Sequence, residues 1–330
     1  VIVAATGVQR ALLQAEFASL TFVDLPGYRV SYGKNRAITI VRMIALIPKI
    51  LIRIKQERAW LRGFAGREGV DLVISDNRYG LAVPGVFCVF ITHQLRIRTP
   101  FGRWTDGLLQ RMNYKLVNRF SRCWVPDIGG SGSLAGELSG PKRMPRVTTR
   151  YIGVLSRMER SAAKEGTYVL VILSGPEPQR TMLEKSILRQ AAAVPDPIVL
   201  VRGLPGGGNT LKEAPATVTV YDHLPSKELE RVMAGAKLVI ARSGYSTVMD
   251  LVRMRKRAVL IPTPGQTEQE YLGRYLEAKG WAACMLQNKF SLAGVLKEGA
   301  PEPAWPADDN GERLRVEVLS VLAQSCPALG

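Results

Sequence analysis

The chain has 330 residues, enough for two domains, and its 46% hydrophobic and 22% charged content is ordinary for a globular protein. Two histidines and four scattered cysteines (Cys88, Cys123, Cys284, Cys326) with no CxxC pair exclude a multi-histidine metal centre and a typical zinc site, and fit reduced thiols. A net charge of +17 favours anionic partners: nucleic acid, anionic lipid headgroups or phosphorylated small molecules. The basic residues are dispersed and no nucleic-acid-binding motif is present, which argues against nucleic acid.

Val1–Ala5 reads as a buried strand without a signal-peptide pattern, so the chain is expected to begin inside a fold. A helix over Thr6–Glu16 and a strand over Thr21–Leu25 follow, closing at Pro26-Gly27. Residues 37–62 form the most hydrophobic window. Arg42, Lys49 and Arg53 interrupt it and Pro48 would kink a helix, so it is a poor transmembrane span. At ~100° per residue, Arg42, Lys49, Arg53 and Gln56 share one face beside a broad apolar one. Two readings stand: a core-packing helix with a wet basic stripe, or a helix lying on an anionic membrane.

Val70–Ser75 and Val86–Thr92 read as strands, ending in Asp76-Asn77 and His93-Gln94. A helix over Thr105–Phe120 and a short strand over Arg122–Val125, closing at Pro126-Asp127, come next. Residues 128–148 are rich in Gly, Ser, Pro and basic side chains, and a polar run follows Arg157. This divides the chain into a first domain (1–150), a linker (151–166) and a second domain (167–330). The second domain repeats the pattern: strands Tyr168–Leu173, Pro197–Val201, Val218–Tyr221, Lys237–Ala241, Ala258–Ile261 and Ala282–Leu286, helices Thr181–Ala193 and Ser226–Ala234, and an amphipathic last helix over 310–324. A Gly-rich loop at Gly203 and Gly206 to Gly208 follows its second strand. Strands alternating with helices predict two doubly wound parallel α/β sheets.

Three loops of the second domain can carry chemistry. Ser174, Gly175 and Arg180 lie in a strand-to-helix loop suited to a phosphate, although Pro176 and Pro178 remove two N–H donors and no P-loop pattern exists; taken alone the signal is weak and an ordinary βα turn is the favoured reading. In Arg242-Ser243-Gly244-Tyr245-Ser246-Thr247, Gly244 allows close backbone approach, the hydroxyls cluster at a helix start, and Arg242 suits an anion. Asp250 stands where a carboxylate can hold a ribose diol; a capped helix is the other reading. Gln266, Gln269 and Glu270 open another helix and can orient sugar hydroxyls or simply suit the helix dipole. In the first domain, His93 and Asp76 each end a strand and are candidates to position and deprotonate an acceptor hydroxyl, unless they are structural.

The motifs SGPEPQR, SGYSTVMD and IPTPGQTEQEYL, with strand-HQ-helix-strand-VPD upstream, resemble glycosyltransferase family 28, the MurG-like GT-B glycosyltransferases, and more narrowly a bacterial group of them. The resemblance covers most of the chain and is specific over 168–280. It implies two Rossmann-like domains facing a cleft. The family's Arg-Ser-Gly-x-x-Thr-x-x-acid pattern falls on Arg242, Ser243, Gly244, Thr247 and Asp250, with Asp in place of the usual Glu that holds the donor ribose. Its paired Gln falls on Gln269 and Glu270, implying donor-sugar contacts, and Arg157 lies where the family has an Arg entering the second domain. The family's opening strand and GxGGH-like loop have no counterpart before Val1, so the first domain is expected to lack them. The resemblance implies a UDP-sugar donor, UDP-GlcNAc foremost, no metal and no cofactor. It further implies a lipid-linked or cell-envelope acceptor and a cytoplasmic enzyme peripheral to the inner membrane face. A degenerate UDP-sugar-binding protein and a UDP-GlcNAc 2-epimerase-like enzyme are the alternatives.

Overall fold

The computed structural model describes residues 1–25, 36–98, 102–160, 166–207, 214–302 and 304–325, without the side chains of residues 8, 36–47 and 103. Pro26-Gly27, the side chain of Arg42, linker residues 161–165, Gly208 and Cys326 lie outside the described residues.

The first unit runs β1 (Ile2–Ala5), α1 (Gly7–Glu16), β2 (Thr21–Asp24), α2 (Arg36–Glu68), β3 (Leu72–Asp76), β4 (Phe87–Ile91), α3 (Arg103–Val117), β5 (Arg122–Val125) and β6 (Thr149–Tyr151). Strands β3 to β6 form a parallel sheet in chain order. The β1–β2 pair is a separate parallel ladder rather than part of that sheet. Side chains attach it instead: Leu25 packs with Leu61, Leu81 and Val83. Strand β1 is also more exposed than a buried strand would be. Pro48 lies within α2, and no helix among the described residues is long and apolar enough to cross a membrane.

The second unit runs β7 (Val169–Ile172), α4 (Gln179–Ala191), β8 (Ile198–Val201), β9 (Val218–Tyr221), α5 (Ser226–Ala234), β10 (Leu238–Ala241), α6 (Tyr245–Met254), β11 (Ala258–Leu260), α7 (Thr267–Ala278), β12 (Ala283–Cys284) and α8 (Leu292–Glu298). Its parallel sheet has the order β12-β11-β10-β7-β8-β9. The strands are apolar on both faces because both faces are covered. Val169, Val171, Ile240 and Val259 meet α4 and α8 on one side. Leu170, Val239, Ala241 and Leu260 meet α5, α6 and α7 on the other.

The last helix, α9 (Glu312–Ser325), follows the second unit in sequence but packs on the first. Val321 is fully buried against Val89, Trp124 and Ile152, and Glu317 pairs with Arg122 at 3.1 Å. The domain division expected from the sequence placed this helix with the second unit. Its amphipathic pattern announces an apolar face but not the partner of that face. Burying one such Val contributes about 1.5–3 kcal/mol.

Candidate functional site

Strands β11, β10 and β7 are neighbours, so the loops leaving their carboxyl ends lie side by side, at the sheet edge where open α/β folds bind ligands. Arg242 lies beneath these loops and is fully buried. Its guanidinium donates to the carbonyls of Ile261 (3.2 Å), Pro262 (3.3 Å) and Gln179 (2.8 Å), joining the loop after β11 to the start of α4. Loss of water on burial lowers its pKa to about 10, and no carboxylate among the described residues pairs with it. The expectation that Arg242 faces an anion is corrected accordingly: its planar fork matches three carbonyls and ties the loops together. Ser243 is likewise buried and donates to the carbonyl of Gln269 at 2.8 Å.

The first turn of α7 holds the loop before it. The Gln269 side-chain oxygen accepts from the Thr263 N–H, and the Glu270 carboxylate from the Gly265 N–H, both at 2.9 Å. Gln269 and Glu270 therefore shape the edge they were expected to offer to a sugar. Gly175, with φ +95°, brings the loop after β7 against Thr263, whose buried hydroxyl has no hydrogen-bond partner among the described residues.

Arg180 also differs from the sequence expectation. Rather than facing a phosphate loop it is buried, paired with Glu177 at 2.6 Å and with Glu184, which in turn binds Arg202 at 3.0 Å. Arg157 is exposed and faces Glu16 at 3.6 Å. The side chains of Ser174, Ser246, Thr247 and Gln266 make no hydrogen bond among the described residues, so this edge presents open hydroxyls and an amide. Gly244 caps α6 with extended backbone, leaving the helix start without a side-chain cap. Asp250 stands on α6, where its carboxylate accepts from the Ser156 hydroxyl at 2.6 Å. Burial raises its pKa, and Ser156 and Arg157 partly offset that.

The first unit meets this edge through His93. The imidazole Nε2 lies 2.8 Å from the Glu268 carboxylate of α7, and its ring stacks on Tyr245 of α6, with centroids 4.2 Å apart and planes 13° apart. Tyr245 is buried and donates its hydroxyl to the carbonyl of Pro126 at 2.8 Å. Its pKa is raised well above the ordinary value, first by burial and then by Asp127 and Glu268. Asp76, at the end of β3, lies open by area, yet the protein around it displaces enough water to raise its pKa; nearby His93 pulls the other way. Sequence reasoning placed His93 and Asp76 together but missed Glu268, which stood unmarked between Gln266 and Gln269.

Asp127 organises the adjoining loop. Its fully buried carboxylate accepts from the N–H groups of Ile128 (2.6 Å), Leu134 (2.8 Å) and Ala135 (3.2 Å) and from the hydroxyls of Ser133 and Ser139. That loop carries Gly136, where a Cβ would lie 2.6 Å from the Tyr271 hydroxyl and φ is +52°, so only glycine lets α7 approach. A cavity of about 590 Å³ opens beside it, walled by Arg98, Glu137, Tyr151, Tyr271 and Tyr275. Among the described residues, no group of three or more His, Cys, Asp or Glu could hold a metal ion.

Residues 209–314 match the family model for the glycosyltransferase family 28 C-terminal domain. A UDP-N-acetylglucosamine--N-acetylmuramyl-(pentapeptide) pyrophosphoryl-undecaprenol N-acetylglucosamine transferase of Methylobacterium nodulans is 32% identical over 188 residues, covering 49% of this chain and 50% of that protein. The protein of the same name from Desulforudis audaxviator is 35% identical over 95 residues, covering 28% and 25%. The chain thus spans half or less of the length of these curated relatives. Among solved structures, the glycotransferase of kitacinnamycin aligns with TM-score 0.61 at 16% identity, over 98% of this chain and 88% of the other. Acinetobacter baumannii MurG aligns with TM-score 0.56 at 16% identity, over 97% and 90%. The fold is GT-B.

Proposed function

We propose that this chain, whose second unit carries a glycosyltransferase family 28 C-terminal domain, transfers a hexosyl group from a UDP-sugar, GlcNAc foremost, to an acceptor hydroxyl. One observation carries the reading: three loops converge on the carboxyl edge of the second sheet, with His93 of the first unit directly across. In this reading the open hydroxyls of Ser174, Ser246 and Thr247 and the uncapped start of α6 receive the diphosphate, as helix starts favour anions. Asp250 binds the ribose. The acceptor oxygen gives its proton to His93 and attacks the anomeric carbon. The bond from that carbon to the diphosphate oxygen breaks, and UDP leaves with the electron pair. Preorganised N–H groups at the α6 start suit the charge that develops there.

The curated relatives bear the name of an enzyme whose acceptor is pyrophosphoryl-undecaprenol-linked, which supports a lipid-linked acceptor for this chain too. The net charge of +17 supports work at an anionic membrane surface. The test is transfer of labelled sugar from UDP-GlcNAc to an undecaprenyl-pyrophosphoryl muramyl-pentapeptide, alongside calorimetry of UDP-GlcNAc binding. Transfer is expected, and Asp250→Ala should weaken binding by about 1.5–3 kcal/mol, the range for a hydrogen bond to a charged group. Binding without transfer to that acceptor or to simpler acceptor alcohols would reduce the protein to a nucleotide-sugar binder. Absence of binding would overturn the reading altogether.

A further inference from the structure

We propose that Glu268 is the positioning residue for His93, reaching from the second unit to fix the tautomer and orientation of an imidazole in the first. The inference rests on the reading of His93 as the group that takes the acceptor proton.

The chemistry follows from what each group can donate. An ionised carboxylate only accepts hydrogen bonds, so the 2.8 Å contact between Glu268 and Nε2 places the imidazole proton on Nε2. In a neutral ring the lone pair is then on Nδ1. Nδ1 has no hydrogen-bond partner among the described residues, so it is free to accept a proton from a hydroxyl. When it does, the imidazolium gains a carboxylate already in place on its other side. Glu268 gives no proton and takes none. The acceptor proton moves to Nδ1 as the new carbon–oxygen bond forms, and UDP departs with the electrons of the broken one.

The remaining contacts hold the ring rather than compete for it. Tyr245 of α6 stacks on one face, and its hydroxyl is committed to Pro126 of the first unit. Asp76 of β3 is a further charged group near the imidazole, which draws its carboxyl pKa down against burial. Glu268 itself is presented by a rigid turn, because Gln269 and Glu270 bind the loop just before it. Of the two acidic residues in the first turn of α7, Glu270 is turned back onto its own loop and Glu268 crosses to the first unit. Two of the three groups that set the imidazole, Glu268 and Tyr245, therefore belong to the donor-side unit. The Nε2–H tautomer that leaves Nδ1 free is set by a carboxylate of the other unit, so deprotonation of the acceptor is tied to the contact between the units.

The test uses full-length protein labelled with 15N-histidine. His93 and His223 are the only histidines, so the imidazole spectrum has two spin systems, assigned with His223→Gln. The wild-type His93 should show the Nε2–H tautomer. Glu268→Leu should shift it to a mixture, and Glu268→Gln, whose amide oxygen still accepts, should restore it. In the transfer assay Glu268→Leu should lower kcat about 100-fold or more, the scale of general-base catalysis, with donor KM within threefold of wild type and partial rescue by Glu268→Gln. An unchanged His93 tautomer in folded Glu268→Leu overturns the proposal. So does a raised donor KM at unchanged kcat, which would make Glu268 a sugar contact. If the wild type transfers no sugar, the spectra still decide whether Glu268 sets the tautomer. If His93→Gln keeps full activity while the tautomer shift is seen, the base assignment fails and the positioning contact stands.

Discussion

The Ser156 hydroxyl donates to the Asp250 carboxylate at 2.6 Å, joining the segment that enters the second unit to the middle of α6. The bond offsets only part of the cost of burying that charge, since the Asp250 pKa still lies above the ordinary 3.8. A carboxyl whose pKa is raised on folding destabilises the native state once it ionises. The penalty is absent below about pH 3.8, where the group is protonated folded and unfolded, grows as pH rises through the folded value, and is complete above it. Asp250→Asn keeps an acceptor for Ser156 and removes the charge. Its Tm should exceed wild type near pH 7.5 and converge with it near pH 3.5, while UDP-sugar affinity falls. A lower Tm at pH 7.5 would show the charge to be stabilising.

Arg242 is expected to matter for stability more than for contact with a ligand. Arg242→Ala leaves the carbonyls of Ile261, Pro262 and Gln179 short of a donor and should cost about 3 kcal/mol by urea denaturation. Arg242→Lys should recover little, because an ammonium point charge cannot span the positions the guanidinium fork reaches.

Asp127→Asn replaces one carboxylate oxygen with an NH2 group that faces donors already aimed at it. Five groups bind the Asp127 side chain, so the isosteric change should cost about 3 kcal/mol in chemical denaturation. Asp127→Ala should cost at least as much.

Tyr245→Phe retains the stack on His93 and loses the hydroxyl bond to Pro126. We expect a loss of about 1 kcal/mol, typical of one neutral hydrogen bond, and faster amide exchange at the start of α6. Tyr245→Ala, which also empties a buried site, should cost about 3–5 kcal/mol.

Much of the architecture is legible before folding. Arg122–Val125, Val218–Tyr221 and Ser226–Ala234 form the elements their periodicity announces, and the alternation of strand and helix gives the parallel sheets. The loops after β7, β10 and β11 are readable as one edge because strand order places them together. Side-chain direction is not readable. Arg242 in a Gly-Ser loop suits an anion equally well as it suits three carbonyls below it, and burial alone separates the two. Arg180 looks exposed at a helix start, but Glu184 one turn on and the backbone carbonyl of Arg202, just past β8, draw it inward. Glu268 carries no signal of its own, since its partner is 175 positions away in another unit.

The return of α9 to the first sheet bears on the order in which the molecule can be completed. During synthesis the β3–β6 sheet emerges early, with Val89, Trp124 and Ile152 still uncovered on the face that α9 will close. The whole second unit must be translated first, which takes on the order of ten seconds at about 5–20 residues per second. Through that interval the earlier half offers an apolar surface to chaperones or to neighbouring nascent chains. The half made first is therefore the half finished last, and substitutions at Val321 should lower the yield of folded protein in the cell by prolonging that exposure.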